Sequence, residues 1–181
     1  TYTYLENKAK NLLSNGTQES DNSSHQLQYT HLYRKSWLFN ASTNTISTKV
    51  TSENYPLKNY TVSGYQITPK ISYLFSKNTS WDIFYELQSK QNKIGALETL
   101  LQNRFGTSLS YSGKKNFTIN GEVSFYQNKF DGDAFSSVGF QMLEGLQTGQ
   151  NIVWKLLLQK NITQFLDINF NYLGRKSETT K

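Results

Sequence analysis

Hydrophobic and polar residues alternate along much of this chain, with the period of two that an extended strand requires. The stretch FLDINFNY, for example, places Leu166, Ile168 and Phe170 on one side and Asp167 and Asn169 on the other. This alternation predicts eight clear strands and a weaker ninth at the start of the chain. The eight are expected at residues 26–34, 37–50, 64–76, 81–93, 103–112, 117–129, 150–160 and 165–176, and the ninth at 1–8.

The predicted connections alternate between short turns and longer polar segments. The short turns are RKS (34–36), SKNTS (76–80), SGKKN (112–116) and KNITQ (160–164). The longer segments include 51–63 and 130–149, and 11–24 becomes another if residues 1–8 pair as a strand. Only IGALETLLQN (94–103) is compatible with one or two helical turns. The pattern predicts an all-β, antiparallel up-and-down meander with its tight turns at one end.

The apolar side of such a sheet faces either a protein core or lipid, and the aromatic residues favour lipid. Aromatic side chains flank all four tight turns on the apolar parity, which would place them in a belt at one height. Such girdles are typical of membrane barrels. The predicted lipid-facing belt consists of Tyr33, Trp37, Tyr73, Phe75, Trp81, Tyr111, Phe117 and Phe165.

Two further features favour a transmembrane β-barrel. Short turns on one side and long loops on the other match bacterial outer-membrane barrels, and several strands are long enough to cross a bilayer while tilted. The opposite parity would then line the lumen. The predicted lumen-facing polar residues are Lys70, Asp82, Glu86, Asn120, Glu122, Lys155, Asp167, Asn169 and Asn171.

Pro69 conflicts with an interior strand because proline removes a donor from the hydrogen-bonded ladder. A bulge or an edge position is therefore expected there. A soluble or periplasmic β-barrel or sandwich that binds a hydrophobic ligand or glycan would show the same alternation, with its apolar face turned inward, and remains the alternative fold.

Composition agrees with a β-rich chain and narrows the chemistry. Of the 181 residues, 36% are hydrophobic and 14% aromatic, there is no cysteine, and the net charge is +6. The absence of cysteine excludes disulfides and thiolate metal sites. The basic residues are spread along the chain, a distribution that does not favour nucleic acid as a partner. No apolar run reaches the length of a membrane helix.

The sequence offers no catalytic, cofactor-binding or metal-binding constellation, and we expect no enzyme activity and no cofactor. His31 falls on the apolar parity, and His25 is expected at a loop edge. DGD (131–133) resembles part of a calcium loop but lacks the downstream Glu, so a plain turn is expected.

Three stretches carry a resemblance to a known group of proteins: YPLKNYTVSGYQITPKISYLFSKNT, MLEGLQTGQNIVW and FLDINFNYLGRKSETTK. They resemble the C-terminal β-barrel region of large outer-membrane proteins of Bacteroidota, of flavobacterial type, over most of residues 55–181. In that group the Y-x-G-R-K-S phrase is followed by a short final strand, which is not found in this sequence. Barrels of the type IX secretion translocon are similar in style.

We therefore expect residues 1–181 to form one domain, a region of a larger outer-membrane barrel cut before its last strand. The resemblance and the pattern together imply the outer membrane of a Gram-negative bacterium and a transport, docking or structural role. Specificity would lie in the long loops or in a missing N-terminal region. The expected partners are outer-membrane lipid or lipopolysaccharide and, if the chain belongs to a secretion or nutrient-uptake assembly, other proteins of that assembly.

Overall fold

A computed structural model describes residues 1–13, 16–113, 117–163 and 165–178. They form nine β-strands, one 3₁₀ turn at Pro56–Lys58 and one α-helix, α1, at Ser137–Leu143. The strands are β1 Tyr2–Leu13, β2 Gly16–Tyr33, β3 Trp37–Ser52, β4 Tyr60–Ser76, β5 Thr79–Asn92, β6 Thr99–Gly113, β7 Phe117–Asp131, β8 Gly149–Thr163 and β9 Leu166–Glu178.

The nine strands form a single antiparallel sheet in which every strand lies beside its neighbour in sequence. The predicted all-β, up-and-down meander is therefore confirmed. The sheet is open, with β1 and β9 at its two edges. Because successive strands reverse direction, the connections β2–β3, β4–β5, β6–β7 and β8–β9 lie at one end, called the turn end below. The other connections lie at the loop end.

The tight turns at 34–36 and 77–78 lie where the pattern predicts them. Arg34 and Lys35 have left-handed backbone, with φ of 47° and 60°, which lets the chain reverse between β2 and β3. Residues 114–116 of the third predicted turn and residue 164 of the fourth lie outside the described residues.

The loop predicted at 11–24 is wrong, because its described residues belong to two strands. β1 and β2 pair along their length, from Tyr2 opposite Leu27 to Leu13 opposite Gly16. This segment is polar, but a strand flanked by partners is held by its backbone hydrogen bonds and needs no apolar stripe. Cross-strand ion pairs add to it, such as Lys10 Nζ at 2.8 Å from Glu19 Oε1.

The helical turns predicted at 94–103 are also wrong. Gly95 and Leu97 have positive φ and turn the chain, and β6 begins at Thr99. The helix lies instead in the β7–β8 connection, where no helix was predicted. Ser136 caps it by accepting a hydrogen bond at Oγ from the Gly139 N–H (2.9 Å), and Glu144 ends it in the left-handed conformation.

Pro69 occupies neither a bulge nor an edge, contrary to the prediction. β4 lies between β3 and β5, and Pro69 pairs with Ala41 of β3. On the β5 side the ladder pauses between Ile67 opposite Leu87 and Lys70 opposite Phe84, yet the register is unchanged across the gap. The missing donor is therefore accommodated by a short unpaired stretch between β4 and β5. The register shift in this hairpin lies elsewhere, between Leu74 and Ser76.

Candidate functional site

One face of the sheet is apolar across the strands. Residues directly opposite each other in antiparallel strands share a face, so the pairing traces this face from strand to strand. One such row contains Trp37, Tyr73, Trp81, Leu109, Gly121, Leu156 and Tyr172. We call this side the apolar face and the opposite side the polar face.

The large side chains of the apolar face are open to the surroundings. Phe105, Val123 and Phe170 are 55%, 51% and 50% exposed, and Leu166, Ile168 and Tyr172 of β9 are similarly exposed. Isolated exposed hydrophobic residues are ordinary, but a contiguous apolar surface of this extent marks an interaction surface. The apolar face is therefore the first candidate functional surface.

The predicted aromatic belt lies on the apolar face near the turn end, except that Phe165 lies in the turn before β9. Trp37 and Tyr73 have ring centroids 4.8 Å apart, Tyr73 and Phe75 meet edge to face at 4.8 Å, and Tyr111 and Phe117 are 6.1 Å apart. Tyr33 pairs directly with Trp37. The indole Nε1 of Trp81 donates to Thr107 Oγ1 at 2.7 Å, so its polar atom is satisfied within the sheet.

The apolar face has a limited height. On β4 it runs from Phe75 to Tyr65, ten residues apart, and on β7 from Phe117 to Phe125, eight residues apart. At about 3.4 Å per residue these spans are roughly 34 and 27 Å along the strand. Towards the loop end the same face becomes polar, with Lys49 on β3, Gln91 on β5 and Lys129 on β7.

The strand ends are staggered regularly. In the row that contains Trp37, β3 begins at Trp37 itself, β5 begins two residues earlier at Thr79, β7 four residues earlier at Phe117 and β9 six residues earlier at Leu166. Each hairpin therefore extends two residues further than the one before it, or about one residue per strand. Neighbouring strands are about 4.8 Å apart, and one residue rises about 3.4 Å along a strand. A line drawn through the turns is therefore not perpendicular to the strands. The strands are tilted by about 35° from the perpendicular to that line.

All nine predicted lumen-facing residues lie on the polar face. Pairing places Asp82, Glu122 and Lys155 in one row with Ser72 and Ser108. Lys70 Nζ lies 3.7 Å from Asp82 Oδ2. The others, placed on this face by strand parity and pairing, are Glu86, Asn120, Asp167, Asn169 and Asn171.

Arg104, which the sequence reasoning missed, links the charged residues of the polar face. Its guanidinium donates to Glu122 Oε1 at 2.6 Å and to Ser124 Oγ at 3.2 Å, and lies 3.5 Å from Glu86 Oε2. It also stacks against the ring of Phe84 at 4.7 Å and that of Tyr126 at 5.2 Å. Its position on the polar parity of the sixth strand was visible, but its partners depend on the register of three strands.

In the central strands, polar side chains are buried and large apolar side chains are exposed, the opposite of a soluble protein. Neighbouring residues of β7 show this most clearly, because Ser124 is 1% exposed and Phe125 is 41% exposed. Gln102 and Asn128 are almost completely buried, and the Gln102 amide donates to Asn128 Oδ1 at 2.9 Å. Buried polar side chains are normally hydrogen-bonded, as these are. From β4 to β8 the polar face is thus the more enclosed side of the sheet, whereas on the edge strands β1 and β9 nearly all described residues of both faces are exposed.

The β7–β8 connection folds over the loop end of the polar face. Helix α1 buries Val138, Met142 and Leu143 against sheet residues that include Val62 and Leu100. Lys90, with only 6% of its side chain exposed, donates to the Met142 carbonyl at 3.2 Å and pairs with Glu144 Oε1 at 2.5 Å. The helix therefore lies on the polar side of the sheet, at its loop end.

The remaining candidate residues form no reaction centre. His31 lies on the apolar face opposite Phe39, as predicted, whereas His25 lies inside β2 and not at a loop edge. His25 Nδ1 shares a hydrogen bond of 2.8 Å with the Tyr2 hydroxyl. Asp133 of the DGD segment accepts from the Phe135 N–H at 2.9 Å, an ordinary turn contact. Among the described residues, no three His, Asp or Glu side chains converge as metal ligands would.

Within the described part of the chain, no helix combines the length and the apolar character needed to traverse a bilayer. In comparisons with known proteins, the chain matches no protein-family model, no curated protein sequence and no solved structure.

Proposed function

We propose that this chain forms part of the wall of a transmembrane β-barrel in the outer membrane of a Gram-negative bacterium. The apolar face contacts lipid and the polar face lines the lumen. The observation that carries the proposal is the distribution of polarity in the central strands, with exposed aromatic and aliphatic side chains on one face and buried amides and partly buried ion pairs on the other.

Energetics support lipid as the surroundings of the apolar face. Leaving a large apolar side chain fully in water forfeits roughly 1.5–3 kcal/mol relative to burying it, and this face carries many such side chains that are about half exposed. None of the described elements covers it, because α1 packs on the polar face. Acyl chains would remove the cost without any second protein layer.

The dimensions also support a membrane barrel. A strand tilt of about 35° converts the apolar spans of β4 and β7 to roughly 28 and 22 Å along the membrane normal. Transmembrane barrels have strands tilted by about 35–45° and an apolar band about 25 Å tall. The tilt follows from the strand pairing, and the band height follows from that tilt together with the positions of the apolar residues.

Closure would require at least one more strand. β1 and β9 run in the same direction, because successive strands alternate in direction and seven strands lie between these two. Antiparallel pairing at both edges therefore needs a strand that runs from the loop end to the turn end. Unpaired backbone groups in hydrocarbon cost several kcal/mol each, so the free edges of β1 and β9 are the places where further strands of the wall would join.

The role best supported is passage or docking. The loop end carries the longer connections, and α1 narrows the polar side beneath them. Specificity for cargo or partner would reside in these connections. The resemblance to barrels of Bacteroidota supports a place in a larger uptake or secretion assembly.

A soluble β-sandwich half is the second candidate, because the sheet is open. A second sheet, from elsewhere in the protein or from a partner, would then cover the apolar face. That arrangement predicts no contact with lipid, and it does not explain why each hairpin extends two residues further than the one before it.

Polarised infrared spectroscopy of the chain reconstituted in oriented phosphatidylcholine bilayers separates these candidates. A barrel wall predicts amide I dichroism corresponding to strands tilted by about 35–45° from the membrane normal. Strands lying parallel to the bilayer plane, or protein that remains in the aqueous phase when detergent is removed, would rule out the proposal.

A further inference from the structure

In the described turns of the turn end, and on the apolar face beside them, the charged residues are all basic. Arg34 and Lys35 lie in the β2–β3 turn, Lys77 in the β4–β5 turn, and Lys160 near the turn end of β8; all four are exposed. Among the described residues, the carboxylates nearest this end are Asp82 and Asp167. Both belong to the polar face, where Asp82 lies beside Lys70.

Two of these cations adjoin the aromatic belt. The guanidinium of Arg34 lies 5.1 Å from the centroid of the Tyr33 ring, and Lys160 Nζ lies 5.9 Å from that of Phe117. Lys160 is directly opposite Phe117 in the ladder and points to the apolar face. Cation and ring together form a surface that is apolar on one side and positively charged at its rim.

The loop end differs, because the described carboxylates of its apolar face balance the lysines there. The lysines are Lys8, Lys10, Lys49, Lys129 and Lys176, and the carboxylates are Glu6, Glu19, Asp21, Asp131 and Glu178. On the apolar face of β1 and β9, Lys8 pairs with Glu6 at 2.7 Å, Lys10 with Glu19 at 2.8 Å and Lys176 with Glu178 at 3.2 Å. The surplus of positive charge on the outward surface is therefore concentrated at the turn end. This asymmetry runs along the proposed membrane normal.

We propose that the turn end binds the phosphate groups of anionic phospholipids, with Arg34, Lys35, Lys77 and Lys160 as the binding residues. This inference rests on the proposed function, since it needs the apolar band to lie in a bilayer. Cations just beyond an apolar band reach the phosphate layer, and anionic headgroups attract basic residues near the surface. The aromatic belt holds them at that depth.

The test measures which lipid surrounds the three tryptophans of the apolar face, of which Trp37 and Trp81 lie near the turn end. The chain is reconstituted in phosphatidylcholine vesicles that contain a fixed minor fraction of either brominated phosphatidylglycerol or brominated phosphatidylcholine, and tryptophan quenching is compared. We expect brominated phosphatidylglycerol to quench more strongly, by about twofold at low salt, and the excess to fall as salt screens the charges.

Two variants with the same change in net charge provide the contrast. The turn-end variant R34Q/K35Q/K77Q/K160Q should lose the preference for phosphatidylglycerol. The loop-end control K8Q/K10Q/K49Q/K176Q should keep it. Equal quenching by both lipids in the unmodified chain, or equal loss in both variants, would overturn the inference and leave the membrane proposal standing. Quenching by neither lipid would instead contradict the proposed function itself.

Discussion

At the scale of single residues, Arg104 shows how charges are kept on the enclosed face. Glu86, Glu122 and Arg104 have side chains that are 12%, 27% and 18% exposed, so each depends on its partners more than on solvent. Removing one member of a buried ionic group leaves the others uncompensated, which costs more than the group itself contributes.

We therefore predict that Arg104→Ala lowers the free energy of unfolding by about 3–5 kcal/mol. Urea titration of the protein in detergent micelles measures this change. Lys155→Ala is the matched control, because Lys155 is an exposed cation of the same face, and it should change stability by less than about 0.5 kcal/mol. R104M/E86Q/E122Q, which removes the charges together, should recover most of the loss; a loss equal to that of Arg104→Ala would contradict this account.

Two glycines of the apolar face should respond oppositely to an added methyl group. A Cβ at Gly174 would overlap the indole ring of Trp154, which lies across it, whereas a Cβ at Gly121 would meet nothing within 4 Å. We expect Gly174→Ala to destabilise by about 1–3 kcal/mol and to shift the Trp154 emission, measured after Trp37 and Trp81 are replaced by Phe. Gly121→Ala should be neutral or stabilising by up to about 1 kcal/mol. Similar effects of both changes would show that Trp154 does not cover Gly174.

At the scale of elements, the strands were predictable where one face is apolar, because a period of two then appears directly in the sequence. Their ends were not. Gly16 to Ser24 of β2 has no apolar stripe and is held by pairing with both neighbours, which is information from distant segments. Arg104 was missed for the same reason, since its partners come from β5 and β7.

The sequence carries a local signal for helix α1, with Ser136 as a cap followed by Val138 and Met142 four residues apart. A seven-residue helix is not stable alone and depends on its packing against the sheet. Hydrophobic spacing within a polar loop was therefore weak evidence until the sheet beneath it was known.

We predict that Met142→Ala releases this connection from the sheet. Met142 is fully buried in the cluster under α1, and its truncation should cost about 2–5 kcal/mol of local stability. Chymotrypsin should then cut the β7–β8 connection at least about tenfold faster. Mass spectrometry of the fragments identifies the cleavage site and measures the rate. Gln141→Ala, at an exposed neighbouring position, should leave the rate unchanged, and equal rates for both variants would show that α1 is not anchored through Met142.

At the scale of the whole molecule, the account depends on which face meets lipid. All three tryptophans, Trp37, Trp81 and Trp154, lie on the apolar face, whereas Tyr126 lies on the polar face beside Arg104. Native fluorescence therefore reports one side of the sheet. A variant with the three tryptophans replaced by Phe and Tyr126 by Trp reports the other side.

The most direct measurement is quenching of these two proteins in vesicles, by lipids brominated along the acyl chain and by aqueous iodide. If the apolar face contacts lipid, brominated lipid strongly quenches the native tryptophans and leaves the Trp introduced at position 126 unaffected. Native tryptophans that are insensitive to brominated lipid, or stronger lipid quenching at position 126, would contradict this contact.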